Sequence, residues 1–145
     1  MILSLLKEVK FQKMLDTTAA GTSDTVSGDI LDLAGAEGVI GVIAFGDVTT
    51  GAVLTLKAYV GDVSDLSDGA YLTTTATVTA TATSADDKLL ILEVRGIQKR
   101  YIRFDLVRAT ANAVIEAGFS GVFNYRNLPV TQSSDVVDSD FTLNV

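Results

Sequence analysis

A chain of 145 residues, 48 % of them hydrophobic and carrying a formal charge of -7, has the length of one domain and enough apolar material for a single core. It contains neither cysteine nor histidine, which excludes disulfides, thiolate metal sites and the imidazole that serves most often as general base or metal ligand. The acidic balance opposes binding to a phosphate backbone, and no apolar run reaches the roughly 18 to 20 residues of a membrane-spanning helix, so the expectation is a soluble protein with no nucleic-acid or membrane partner.

The opening MILSLLKEVKFQKMLD differs in character from the rest of the chain. Ile2, Leu5, Leu6, Val9 and Lys13 follow helical spacing, which predicts a short amphipathic helix; alternatively Leu6 to Leu15 is an extended arm. Its apolar part is interrupted too soon by Lys7 and Glu8 for a secretion signal. Thr17 to Gly28 is small, polar and glycine-containing, the composition of a connector. Residues 1–20 therefore read as an N-terminal arm and connector, and residues 21–145 as a single domain. The arm has two readings, a docking device presenting Leu5, Leu6, Val9 and Phe11 to a partner, or a first element lying on its own core.

From there strands and turns alternate at short spacing. Val26 to Leu33 and Val39 to Phe45 flank turn material at Ala34 to Gly38, and DVTTG at Asp47 to Gly51 is a second turn. Ala52 to Val60 alternates, with Leu54, Leu56, Ala58 and Val60 facing inward. In the loop GDVSDLSDG, Asp62, Asp65 and Asp68 stand three apart, whereas a calcium loop sets its acids two apart with a distal Glu, so no metal is predicted. Leu72 to Ser84, LTTTATVTATATS, predicts one long strand with a hydroxyl-rich face and a small apolar face, since β-branched Thr favours extended backbone.

The segment from Lys88 to Tyr125 predicts three consecutive antiparallel strands. Leu89 to Val94 is almost continuously apolar, as a central strand covered on both faces would be. Tyr101 to Arg108 alternates, with Ile102, Phe104 and Leu106 against Arg103 and Asp105. In Ala113 to Tyr125 the residues Ala113, Ile115, Ala117, Phe119, Phe123 and Tyr125 share one face, and Glu116, Ser120 and Asn124 the other. After the only proline, Pro129, the run Val136 to Val145 alternates again and predicts a last strand. About eight strands without an interior helix predict an all-β fold, an antiparallel β-sandwich of jelly-roll-like topology.

Arg95, Lys99, Arg100, Arg103 and Arg108 are five of the chain's 11 basic residues. Such a cluster on an acidic body suits an oriented contact with an acidic partner, or is a solvated rim paired with Glu93 and Asp105. No nucleophile elbow, phosphate loop, dinucleotide fingerprint or metal-ligand cluster is present, so neither an enzyme nor a cofactor is predicted.

The segment DDKLLILEVRGIQKRYIRFDLVRATANAVIEAG, with LLKEVKFQKMLDTTAAGTS and AEGVIGVIAFG, resembles a family of small structural proteins of tailed bacteriophages encoded beside the major capsid protein. The family pattern of a K/R-R-Y-[VI]-R stretch and then R-A-T-A-N-A-V is matched by Lys99 to Arg103 and Arg108 to Val114. The resemblance implies a capsid cement or decoration protein on the virion surface, present in the host cytoplasm during assembly. Its implied partner is the major capsid protein, and it implies a homo-oligomer, dimer or trimer. Leu5, Leu6, Val9, Phe11, Arg95, Lys99, Arg100 and Arg103 are the contact residues this reading selects. The alternatives are a head-to-tail connector or tail-associated subunit, and a carbohydrate-binding or adhesion sandwich. The second is poorly served by a chain with no Trp and four Tyr.

Overall fold

Period-two alternation makes most of this chain extended. The computed structural model describes residues 4–139. One helical turn, α1 (Leu5–Glu8), capped by the Ser4 hydroxyl, precedes β1 (Lys10–Leu15), β2 (Thr18–Gly21), β3 (Asp24–Ser27), β4 (Leu31–Asp32) and β5 (Gly38–Val48). Next come β6 (Val53–Gly61), β7 (Ala70–Thr79), β8 (Leu89–Arg95), β9 (Tyr101–Ala109) and β10 (Ala113–Phe123).

The strands form two antiparallel sheets. The first has the order β1-β10-β5-β8, with β2 also on β10; the second has the order β3-β9-β6-β7, with β4 also on β9. Consecutive strands repeatedly cross from one sheet to the other, and the interleaving is that of a jelly roll. The core between the sheets is built from Met14, Leu31, Ile43, Leu54, Leu56 and Phe104, among others. Phe104 of β9 lies against the backbone of β5 at Gly41, where a Cβ would stand 2.9 Å from the ring. Only glycine leaves room for that contact, and burying such a ring is worth about 1.5 to 3 kcal/mol.

Several sequence expectations change. β8, β9 and β10 are not three neighbouring strands: β8 and β10 lie in the first sheet, each on β5, while β9 lies in the second between β3 and β6. Period-two alternation says which residues point inward, but it is silent on which strand lies alongside. The connections at residues 96–100 and 110–112 accordingly bridge the sheets rather than closing hairpins. β8 is also an edge strand, not a central one, and its Leu89 and Ile91 face outward and exposed.

On β10 the predicted face is kept only as far as Ile115. A bulge places Ile115 opposite Phe45 but Ala117 opposite Ala44, two residues against one. The extra residue reverses the alternation, so Ser120 and Val122 enter the core while Ala117, Phe119 and Phe123 turn outward. β7 ends at Thr79, and the chain leaves the strand at residues 80–81 and turns over residues 82–87 rather than continuing as a long strand.

Of the two placements for the N-terminal segment, the one observed from Lys10 onward is on its own core: β1 pairs with β10 and buries Met14 and Leu15. Residues 17–28, small and polar like a connector, carry β2 and β3 instead. Their pairing is organised by Arg108. Its side chain is 3 % exposed and reaches from β9 toward the first sheet, donating from Nη1 to the carbonyls of Ala19 (2.8 Å) and Ala113 (2.7 Å) and from Nε (2.8 Å) and Nη2 to the Asp24 carboxylate. A Cβ at Gly21 would overlap Arg108 Nη2, so a larger residue there would push the guanidinium off its partners. Of the predicted last strand, residues 136–139 are not strand, and residues 140–145 lie outside the described residues.

Arg108→Ala leaves the Ala19 and Ala113 carbonyls without their donor and empties the space of a buried side chain, while Asp24 stays in contact with water, so it is expected to destabilise the fold by about 3 kcal/mol in a denaturant titration, with little change for Lys88→Ala on the surface. The hydrogen bonds from Arg108 hold the Asp24 carboxyl below the usual carboxylate range, and those from Arg100 do the same for Asp32. A depressed folded-state pKa contributes stability above the unfolded value near pH 4 that is lost as pH falls through the folded value. Thermal melts should therefore be level from about pH 5 to 7 and decline below about pH 4, with a shallower decline in the Arg108→Ala protein.

Candidate functional site

The acids and bases of this chain are largely occupied with one another. Among the described residues no three acidic groups converge as metal ligands would. In the loop after β6 the Asp68 carboxylate accepts from the backbone N–H of Asp62 (3.0 Å) and Val63 (3.1 Å), and these bonds lower its pKa. Asp65 accepts from the N–H of Ser67 at 2.9 Å and is lowered by the Ser67 hydroxyl and backbone. Both acids thus shape their own loop.

Each of the five clustered cations has a carboxylate within the chain. Arg95 pairs with Glu93 and lies 5.3 Å over the Phe123 ring. Lys99 Nζ reaches Asp62 at 2.6 Å, and Arg100 grips Asp32 through two bonds of 3.1 and 3.0 Å. Arg103 makes a similar fork to Asp105, at 2.7 and 2.9 Å, and packs on the Tyr59 ring at 5.0 Å. Asp105 is fully buried and also accepts from the Tyr71 hydroxyl at 2.7 Å, a bond that raises the tyrosine pKa. This knot fastens β7 to the outer side of the second sheet. Exposed pairs such as Lys99 with Asp62 add little to stability because solvent screens them, yet they offset the local positive charge.

The two outer faces of the sandwich differ. That of the second sheet carries Thr55, Lys57, Tyr59, Thr75, Thr77 and Arg103. That of the first sheet has an apolar centre, flanked by Lys13 opposite Phe119 and by Glu93 opposite Ile40. Directly across it lie Phe119 of β10, Val42 of β5 and Ile91 of β8 in one row, and Ala117, Ala44 and Leu89 in the next. Phe119 is 42 % exposed, Ile91 48 % and Leu89 58 %, whereas Val42 is covered by its neighbours without joining the core. Cross-strand neighbours on one face touch, so these side chains make a continuous patch rather than scattered exposed residues.

The selected residues divide between these places. Phe11 stands opposite Gly121, and Val9 and Phe11 both lie over that glycine, so the two extend the apolar face along β1. Arg95, beside Phe123, borders the same face. Leu5 is exposed on α1 and Leu6 half-buried; Lys99 and Arg100 sit on the β8–β9 connection, and Arg103 on the opposite sheet. Of the residues that dominate the patch, Phe119 shares by periodicity the face of Ala113 and Ile115, and Ile91 and Leu89 belong to the continuous apolar run that suggests a strand covered on both faces. A signal was present in Gly118-Phe119-Ser120-Gly121, since glycines inside a strand mark bulges and close backbone approach.

No protein-family model matches the chain, and no curated protein matches its sequence. Among solved structures it is similar to a chain in the structure of infectious bursal disease virus Gx strain, with a TM-score of 0.54 and 15 % identity over 83 % of this chain and 34 % of that one. It is also similar to a chain of the infectious bursal disease virus VP2 subviral particle, with a TM-score of 0.51 and 16 % identity over 81 % of this chain and 34 % of the other. The chain spans about a third of the length of these viral chains. At this identity the likeness is one of fold: a β-sandwich of two antiparallel sheets, shared with chains that build a virus particle.

Proposed function

We propose that this protein is a non-enzymatic virion structural protein that lies on the capsid exterior and cements neighbouring capsomers, bound through the apolar outer face of its first sheet. The observation that carries this reading is the asymmetry of the sandwich, with one outer face apolar at its centre and charged only at its margins, and the other polar and internally paired. A protein laid on a shell needs that division. The likeness to chains of a virus particle and the resemblance to phage structural proteins agree with it. The partner is the major capsid protein, and the chain acts as a homo-oligomer. Val9, Phe11 and Arg95 belong to the contact, with Phe119, Ile91 and Leu89 at its centre. Lys99, Arg100 and Arg103 stay with Asp62, Asp32 and Asp105. Contacts repeated over a lattice add up, because release of one capsomer requires several to break together.

Burying carboxylates in an apolar contact is costly, and only position 119 has a cation, Lys13, across from it, so the Phe119→Asp, Ile91→Asp double variant is expected to bind particles at least about a hundredfold more weakly, a loss of roughly 3 kcal/mol. Its melting temperature should stay near that of the parent, since both side chains already face water. Pelleting of particles with increasing protein measures the difference, and undiminished binding would move the contact to another face.

Copy number separates cement from connector. Quantitative mass spectrometry of purified particles should count hundreds of copies, where a connector or tail ring would hold roughly six or twelve. Lys99→Glu with Arg100→Glu should leave that number unchanged.

A further inference from the structure

The two flanks of the sandwich are finished differently. On one, the C-terminal segment closes the open edge of β1: Gln132 accepts from the Phe11 N–H (2.8 Å) and donates to the carbonyls of Leu6 (2.8 Å) and Val9 (2.7 Å), and Asp135 accepts from the Lys13 N–H (3.1 Å). On the other flank, among the described residues, β7 pairs only with β6 and β8 only with β5. Edge strands are ordinarily blunted by charge, proline or cover. β7 has no charged residue and no proline over its ten positions, and its stretch from Thr75 to Thr79 pairs in unbroken register with β6. Beside that stretch a hollow of about 270 Å³, lined by Val78, Phe45, Ala85 and Leu90, opens between the two edges. An unprotected edge above an open apolar hollow is a site for an added strand.

The chain carries a segment of matching character. Phe141, Leu143 and Val145 alternate with Thr142 and Asn144, an apolar side and a polar side over five residues, the length of the regular stretch on β7. We propose that the C-terminal segment of one copy adds as a strand to the β7 edge of a second copy, with Phe141, Leu143 and Val145 covering the hollow beside Val78. The same copy is out of reach. Asp135 is held at β1, and six residues from there to Phe141 extend about 20 Å. Passing over the sandwich to the far flank means crossing three strand spacings and the gap between sheets, about 15 Å and about 10 Å, and going around the side chains. Lys57, opposite Thr75, and Lys88, beside the hollow, offer cations to Asp138 and Asp140 of the incoming segment. Reciprocal exchange closes a dimer and cyclic exchange a trimer, which gives the proposed homo-oligomer a definite joint.

Because the chain has no cysteine, a disulfide can report the contact without background. The full-length Thr75→Cys, Asn144→Cys protein, with both positions on the polar side, should form covalent dimers or trimers on mild oxidation at micromolar concentration, seen in denaturing gels without reductant. Adding Phe141→Asp and Leu143→Asp should abolish them while circular dichroism and melting stay at the parent values. A link confined to single chains, the absence of any link, or a ladder that survives the two aspartates overturns the proposal. No particle enters this experiment, so its failure leaves the capsid reading standing. The Phe119→Asp, Ile91→Asp protein, which tests that reading, should cross-link normally.

Discussion

A buried guanidinium ties the two sheets together at two short edge strands. Arg108 leaves β9 on the core side, and its donors meet a carboxylate on β3 and carbonyls at β2 and at the start of β10. The edge strands it serves are four residues long and made largely of small and polar residues, which bury little area of their own. A planar cation with five donors can satisfy several backbone and side-chain acceptors at once, and in a low-dielectric setting none of them can be left unpaired without a penalty. The polar segment at residues 17–28 is ordered for this reason, and Gly21 is the space the guanidinium requires.

A second constraint sets the character of the surface. The bulge on β10 is one residue in the ladder, yet it moves Phe119 from the interior to the outside and brings Ser120 inward, where its hydroxyl reaches the Gln12 carbonyl. With Ile91 and Leu89 on the edge strand beyond β5, the centre of the outer side of the first sheet becomes apolar while that of the second stays polar. The division does not follow from composition, because both sheets draw on hydrophobic strands. It comes from which side of each strand the ladder presents.

The charged residues act in the opposite sense. Five cations near one another in sequence resemble a docking patch, but the fold gives Lys99, Arg100, Arg103 and Arg108 partners at Asp62, Asp32, Asp105 and Asp24, and Arg95 pairs with Glu93 two residues away on its own strand. Asp62, Asp32 and Asp24 come from loops and strands tens of residues distant, which no local pattern identifies. Pairing weakens a field that would steer an acidic partner, which is why the proposed contact rests on apolar area instead.

Period-two alternation and turn residues were enough to determine an all-β chain, the position of most strands and the inward set of β6 and β9, because those properties depend on neighbours one or two residues apart. The absence of cysteine and histidine likewise excludes disulfides and thiolate or imidazole ligands without reference to the fold. Strand order, the placement of β8 at an edge, the bulge in β10 and the burial of Arg108 were left to the tertiary structure, since each is a relation between residues far apart in the chain. The apolar patch belongs to this second class: Phe119, Val42 and Ile91 lie in different parts of the sequence, and they form one surface only because β10, β5 and β8 lie side by side in the same sheet.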